Sequence, residues 1–172
     1  IGIVCLGYFG YCYFFQPKEA EIFQVSGGTG TVVLALDPAS SNVAANTTRD
    51  LNLTINTGTS KVTIVQVVLA YTPGKCVTPI TVTKGDFLTL VISAPEVTNN
   101  RIKFTYAAPP ATGGKQGSGI LAKITTGPTS GTCLVTFTAN TRAAVIGSQT
   151  NALKSASDAA IIVNIQGDEP MI

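Results

Sequence analysis

The chain has 172 residues, a length that suits one domain with a short appendage. Charged residues make up 12% of it, about half the share of an ordinary soluble domain, and the net charge of +2 comes from scattered side chains, which argues against a nucleic-acid partner. Histidine and tryptophan are absent, so the commonest general base, the commonest metal ligand and the commonest aromatic platform for sugars are missing.

The first 15 residues form an apolar segment without charge, and Pro17, Lys18 and Glu19 follow as a polar boundary. We predict a short hydrophobic helix within residues 1–23. Its apolar part would be about 22 Å long, short of the roughly 30 Å hydrocarbon core of a bilayer. The segment fits a membrane anchor with further residues upstream, an assembly segment buried among copies of itself, or an uncleaved signal-peptide core. The side chains of the predicted assembly segment are Ile1, Ile3, Val4, Leu6, Tyr8, Phe9, Tyr11, Tyr13, Phe14 and Phe15.

Residues 24–30 are rich in glycine but lack the lysine of a phosphate loop, so they are interpreted as a hinge. After them, short β-type runs alternate with turn residues and predict a β-sandwich over 31–166, followed by a tail over 167–172. The alternation of Leu51, Leu53 and Ile55 predicts that such a strand has one buried face. The nine predicted strands cover 31–36, 49–56, 61–71, 78–82, 88–93, 101–107, 119–126, 132–139 and 159–165.

Several of these segments, taken in order, resemble the cohesin family. They are TVVLALDP at 31–38, DLNLTIN at 50–56, VQVVLAYTP at 65–73, RIKFTY at 101–106, GSGILAKI at 117–124, GTCLVTF at 131–137 and AIIVNI at 160–165. The resemblance implies a nine-stranded jelly-roll sandwich on an exported, cell-surface protein, often with a calcium-loaded dockerin as its partner. Thr72 stands where the family usually has an acidic residue in a Tyr-Asp-Pro turn, and no dockerin-binding residue is carried over.

Four cysteines in an exported protein suggest two disulfides. Cys76 and Cys133 both lie in the β domain and are the favoured pair, the alternative being two buried free thiols. Cys5 and Cys12 would lie about 10 Å apart along a helix, beyond the reach of a disulfide within one straight helix. They would therefore pack, or link two chains.

Asn46 and Asn52 each have a threonine two residues later and are candidate N-glycosylation sites. Such patterns arise often by chance in a chain rich in threonine. We therefore take both as candidates for attached sugars and assign them no other role.

Candidate catalytic carboxylates are Asp37, Asp50, Asp86, Glu96 and Asp158, which the predicted strands and loops keep apart. A glycosidase needs two carboxyl groups within about 10 Å of each other, and no pattern brings these together. In a chain without histidine, a serine could use only a lysine or a carboxylate as its base, and no Ser-x-x-Lys motif stands in a suitable helix. The oxygen-rich spacing of a dedicated calcium loop is missing as well. The sequence therefore predicts no enzyme, no cofactor and no metal site.

Two functions remain. The first is a structural subunit of an extracellular, pilus-like filament, with the apolar head packed against its copies and the β-sandwich outside. The alternative is a membrane-anchored, cohesin-like module that binds a dockerin-like protein or a polysaccharide. Both place the protein outside the cell or at its surface, with copies of itself, membrane lipid or a dockerin-like module as partners.

Overall fold

The computed structural model describes residues 2–5, 12–15 and 30–164. Within these ranges the regular structure is β-strand, apart from one 3₁₀ turn at Pro110–Thr112. No helix in the described ranges is long and apolar enough to cross a membrane. The strands are β1 (Gly2–Cys5), β2 (Cys12–Phe15), β3 (Val32–Asp37), β4 (Ser40–Val43), β5 (Arg49–Asn56), β6 (Val62–Tyr71), β7 (Thr81–Lys84), β8 (Leu90–Thr98), β9 (Arg101–Ala107), β10 (Ser118–Thr126), β11 (Thr132–Phe137), β12 (Arg142–Val145), β13 (Leu153–Ser157) and β14 (Ala159–Val163).

Strands β3 to β14 form two sheets that pack face to face. The first has five strands in the order β13-β3-β5-β10-β7. The second has seven, in the order β4-β14-β11-β6-β9-β8, and β12 also pairs with β6. Along one edge of β6, β11 occupies the end near Tyr71 and β12 the end near Val62. The prediction of an all-β sandwich is confirmed.

The core lies between the sheets because apolar residues alternate along the strands. In β5, Leu51, Leu53 and Ile55 are buried while their neighbours are partly or fully exposed, as the sequence predicted. In β9, Phe104 and Tyr106 point into the same core with ring centroids 4.8 Å apart. One continuous cluster joins the inner faces of both sheets.

All nine predicted strands are present, as β3, β5 to β11 and β14, and three short strands, β4, β12 and β13, are added to them. Two of the nine have a boundary that differs from the prediction by more than two residues. The strand predicted at 78–82 is observed at Thr81–Lys84, and the one predicted at 88–93 extends to Thr98. Pro95 lies within this second strand, where an edge position tolerates a residue that has no N–H to donate.

The chain crosses between the two sheets at two neighbouring places. Strand β13 pairs in parallel with β3 in the five-stranded sheet, and β14 pairs in parallel with β4 in the seven-stranded sheet. The N–H of Ala160 donates to the carbonyl of Ala39 at 2.9 Å, which joins the two crossings. Each crossing interrupts the ladder, so backbone groups there need other partners.

Asp158 supplies one such partner at the second crossing. Its Oδ1 accepts a hydrogen bond of 2.7 Å from the N–H of Phe137. Phe137 lies two residues beyond Val135, which forms the last pair of β11 with β14, opposite Ala159. Burial raises the pKa of the Asp158 carboxyl, and the hydrogen bond from Phe137 opposes that rise in part. The carboxylate is therefore useful as an acceptor but costly as a charge.

Replacing Asp158 with asparagine is expected to increase stability at neutral pH relative to the wild type. A carboxyl group whose folded pKa is raised contributes its full stability below the unfolded pKa and loses it as pH rises through the folded pKa. The amide of Asp158→Asn keeps an oxygen for Phe137 without a charge, so urea unfolding should favour the variant more at about pH 7 than at about pH 3. An advantage that shrinks as pH rises would contradict this account. Asp158→Ala is the control, expected to lose about 1–3 kcal/mol at both pH values because Phe137 is left without its acceptor.

A disulfide joins Cys76 and Cys133, as the sequence favoured. Cys76 lies in the connection between β6 and β7, which crosses from the seven-stranded to the five-stranded sheet, and Cys133 points inward from β11. The Cα atoms are 4.9 Å apart and both residues are buried. The disulfide therefore fixes an inter-sheet connection to the core of the sandwich.

Gly30, the last residue of the predicted hinge, is packed against the sandwich. A Cβ atom added there would lie 2.0 Å from the carbonyl oxygen of Ala152, so no other residue fits without a shift of backbone. The N–H of Val32 donates to that same oxygen at 3.0 Å. The rest of the predicted hinge, residues 24–29, and the predicted tail, 167–172, lie outside the described residues.

The N-terminal segment differs from the predicted helix where it is described. Strands β1 and β2 are antiparallel, with Ile3 opposite Phe14 and Cys5 opposite Cys12. Residues of the β-branched and aromatic types fit strands well, which gives a physical reason for the difference. The separation of about 10 Å expected along a helix does not apply to these two cysteines. The other positions of the predicted helix and of the assembly segment lie outside the described residues.

Candidate partner-binding site

The outer face of the seven-stranded sheet carries polar and charged side chains in register. Along β9, the inward residues Ile102, Phe104 and Tyr106 alternate with outward residues, and each outward residue has partners on both neighbouring strands. Rows of side chains therefore run across β8, β9, β6 and the strands beyond it. The rows are Leu90, Ala107, Ile64 and Ala144; then Ser93, Thr105, Gln66 and Arg142; then Glu96, Lys103 and Val68; then Thr98, Arg101, Ala70 and Thr136.

Two depressions on this face meet at Gln66 and Arg142. The larger has a volume of about 720 Å³ and lies over the charged rows, with Val68, only 5% exposed, in its lining. The smaller, about 290 Å³, continues toward Ile64 beneath the connection between β12 and β13. We call this continuous surface the outer groove and define it by Gln66, Glu96, Thr98, Arg101, Lys103 and Arg142.

A break between β11 and β12 shapes one wall of the outer groove. The chain leaves the edge of β6 after Phe137 and returns at Arg142. In between, the buried Thr141 hydroxyl accepts from the N–H of Val68 at 3.1 Å and donates to the Val68 carbonyl at 3.0 Å. A side chain thus takes the place of a missing strand residue, and it holds Arg142 beside Gln66.

The electrostatics of the outer groove are dominated by cations. Arg101, Lys103 and Arg142 face one carboxylate, Glu96, which the register places opposite Lys103. The hydroxyl of Thr98 donates to Glu96 Oε1 at 3.3 Å. Among the residues that the structure describes, none of the three cations lies within 4 Å of a carboxylate oxygen. These three side chains are therefore available to bind a negatively charged ligand.

The ion pair found in the described part of the chain lies on the other sheet. There Lys123 Nζ is 3.0 Å from Asp50 Oδ2, and Thr125 donates its hydroxyl to Asp50 Oδ1 at 2.6 Å. The hydrogen bond from Thr125, followed by Lys123, lowers the pKa of the Asp50 carboxyl. Both side chains of the pair are nearly half exposed, so solvent screens this interaction.

Strand β8 borders the outer groove as the edge of its sheet. Leu90, Val91 and Ile92 are 40%, 46% and 56% exposed, an unusual run of three accessible large apolar residues. The pairing with β9 is irregular between Val91 and Ser93 and again between Ser93 and Glu96. Bulges and a proline are devices that protect an edge from pairing with another strand, so a partner is expected to touch the side chains here and not extend the sheet.

The candidate glycosylation sites differ in accessibility. Asn46 is exposed in a turn at φ 59°, and its N–H donates to the Pro128 carbonyl at 2.8 Å. Asn52 lies half-buried in β5, between Asp37 and Lys123 of the neighbouring strands. Glycosylation stays a prediction at both positions, and Asn46 is the more accessible of the two.

The candidate carboxylates lie on different elements. Asp37 ends β3, Asp50 is at the start of β5, Asp86 follows β7, Glu96 is in β8 and Asp158 lies between β13 and β14. No group of three or more potential metal-binding side chains is found in residues 2–5, 12–15 and 30–164. The outer groove likewise offers charges and hydrogen-bonding groups for binding, and its lining holds no cysteine or histidine.

Sequence reasoning missed the outer groove. One local signal was available: Arg101, Lys103 and Thr105 alternate with apolar residues along β9, which predicts a charged outer face. Gln66 and Arg142 are 76 positions apart, and only the pairing of β12 with β6 brings them together. A sequence pattern cannot reveal such a cluster.

The fold is similar to those of solved cohesin structures. CaCohA2 of Clostridium acetobutylicum matches with a TM-score of 0.62 at 19% identity, over 80% of this chain and 94% of that one. A non-cellulosomal cohesin from the archaeon Archaeoglobus fulgidus matches with a TM-score of 0.60 at 14% identity, over 78% and 91%. The chain has a cohesin-like fold. No protein-family model and no curated protein matches the sequence.

The cohesin-like domain is also similar to a cohesin solved with its partner. This is the third cohesin of ScaC from Acetivibrio cellulolyticus, in complex with the ScaB dockerin, with a TM-score of 0.61 at 16% identity over 77% of this chain and 98% of that one. The agreement confirms the predicted cohesin-like jelly roll. At these identities the likeness concerns the fold.

Proposed function

We propose that the protein is an exported, non-catalytic binding module that holds a partner protein, dockerin-like in kind, in the outer groove. The observation that carries the proposal is a concave surface on a sheet, bordered by the exposed Leu90 of β8. It is lined by three cations that no carboxylate oxygen of the described residues approaches within 4 Å. Sites built on strands are held more firmly than sites on loops. The complex of a cohesin of the same fold with a dockerin supports a protein as the partner.

Export is supported by the disulfide between Cys76 and Cys133, because such bonds persist in oxidising compartments. The absence of tryptophan weighs against the polysaccharide partner considered from the sequence, since aromatic platforms commonly hold sugar rings. The sequence shows no pair of a nucleophile and a base, and a binding role does not need one.

The filament role predicted from the sequence depends on residues 1–15, of which only 2–5 and 12–15 are described. The cohesin-like fold favours the binding module over this role. Electron microscopy of the full chain separates the two: fibres built from subunits of 17.7 kDa would favour the filament, and monodisperse protein the binding module.

The test is binding of the full chain to a panel of calcium-loaded dockerin modules, including the ScaB dockerin of Acetivibrio cellulolyticus, by biolayer interferometry. At least one is expected to bind. Ser93→Trp, on the groove face of β8, should then weaken binding at least about tenfold by steric obstruction. Thr83→Trp is the matched control, because Thr83 is exposed on the outer face of the other sheet, opposite Lys123. Failure of every dockerin to bind, or equal losses in the two variants, would overturn the proposal.

A further inference from the structure

The charges of the outer groove restrict the chemistry of what it can hold. Arg101 and Lys103 lie two residues apart on one face of β9, so their backbone positions are about 7 Å apart. Arg142 lies on β12, two strands away across β6 and in register with Thr105, so its backbone lies about 12 Å from that of Lys103 and about 16 Å from that of Arg101. The three cations thus border a surface about as wide as one α-helix of a partner, side chains included.

Arg101, Lys103 and Arg142 form no ion pair with the described part of the protein. The ion pair found there joins Lys123 to Asp50 on the opposite sheet. Glu96 is the sole carboxylate in the lining of the larger depression, and its Oε1 already accepts from Thr98. A partner that brings carboxylates would therefore meet unpaired arginine and lysine, and arginine binds carboxylates through two parallel hydrogen bonds.

We infer that the partner presents an acidic protein surface to the outer groove, with carboxylates opposite Arg101, Lys103 and Arg142 and an apolar contact opposite Leu90. This inference rests on the proposed function and specifies the partner's chemistry. Glu96 favours an acidic protein over a uniform polyanion. A continuous chain of sulfates or phosphates would place negative charge beside the Glu96 carboxylate and be repelled, whereas a protein surface can place a neutral group there. The exposed apolar edge of β8 likewise suits a mixed protein surface.

The experiment uses the full chain, labelled with ¹⁵N, titrated with a ten-residue glutamate peptide, a ten-residue lysine peptide and a heparin-derived oligosaccharide. The glutamate peptide is expected to shift amides of β6, β9 and β12, and to lose this effect at about 0.5 M salt. In R101Q/K103Q/R142Q its affinity should fall about tenfold or more. The matched control is K75Q/K84Q/K154Q, which removes three exposed cations elsewhere and should change the affinity less than about twofold.

Equal losses in the two variants would show that net charge alone attracts the peptide and would overturn the inference. Tighter binding of the lysine peptide would overturn it as well. An oligosaccharide that shifts the same amides at lower concentration would replace the acidic protein with an anionic polysaccharide. A dockerin that binds R101Q/K103Q/R142Q as tightly as wild type, yet is blocked by Ser93→Trp, would overturn the acidic partner and leave the proposed function standing.

Discussion

Replacing both Cys76 and Cys133 with alanine is expected to lower the free energy of unfolding by about 4 kcal/mol. The two residues are 57 positions apart, and the loop-closure entropy of a link of that length in the unfolded chain corresponds to about 4 kcal/mol at 25 °C. Both side chains are buried, so the loss of sulfur contacts in the core acts in the same direction.

The measurement is urea unfolding in a Cys5→Ser/Cys12→Ser background, so that reductant acts on one pair of cysteines only. Reduced protein of that background should unfold close to the variant with all four cysteines replaced. Oxidised protein should unfold at clearly higher urea. If reductant leaves the midpoint unchanged, the disulfide does not constrain the unfolded chain in the way the loop length predicts.

The Thr141→Val variant is expected to lose about 2 kcal/mol. Valine has nearly the same shape but has no oxygen, so the N–H of Val68 is left in a buried place without its acceptor. The Val68 carbonyl is less affected, because the N–H and hydroxyl of Thr138 both still donate to it at 2.9 Å. The loss should therefore come mainly from one unsatisfied donor.

Thr138→Val is the matched control for this prediction. It removes one of several donors to the Val68 carbonyl. It also removes the acceptor of the Asn140 N–H, but that 3.4 Å contact is exposed and water can replace it, so a loss below about 1 kcal/mol is expected. Chemical denaturation gives the two free energies, and amide exchange at Val68 should be faster in Thr141→Val than in Thr138→Val. Equal losses in the two variants would show that the hydroxyl of Thr141 has no special role.

Replacement of Thr141 is also expected to affect the proposed binding, because its hydroxyl bonds to Val68 where the chain returns to β6 to form β12. Arg142 is the next residue and depends on that return for its place in the outer groove. A Thr141→Val variant that stays folded should thus bind the glutamate peptide less tightly than Thr138→Val. A stability effect and a binding effect would then have one structural origin.

Much of the fold could be predicted from local patterns. Leu51, Leu53 and Ile55 show the strict alternation that a half-buried strand requires, and the observed burial follows it. Strands β4, β12 and β13 could not be predicted in this way. They are only four or five residues long, too short for an alternating pattern to stand out, and they are strands because neighbouring strands pair with their backbone.

The far end of β8 shows the same limit. The predicted strand ends at residue 93, two residues before Pro95, whereas the structure continues the pairing to Thr98. A proline is a local signal against a central strand. The proline is tolerated because β8 is an edge with only one neighbour, β9. Whether a strand is an edge or central is decided by the arrangement of the whole sheet.

Local patterns in the sequence predict the class of fold and the order of the main strands, because apolar alternation and turn residues act over a few positions. They favour the pairing of Cys76 with Cys133, which the structure confirms. The outer groove arises only in the folded domain. Gln66, Lys103 and Arg142 become neighbours only through the register of β6 with β9 and β12. Register depends on contacts between segments far apart in the chain, so no local pattern records which outward side chains will share a surface.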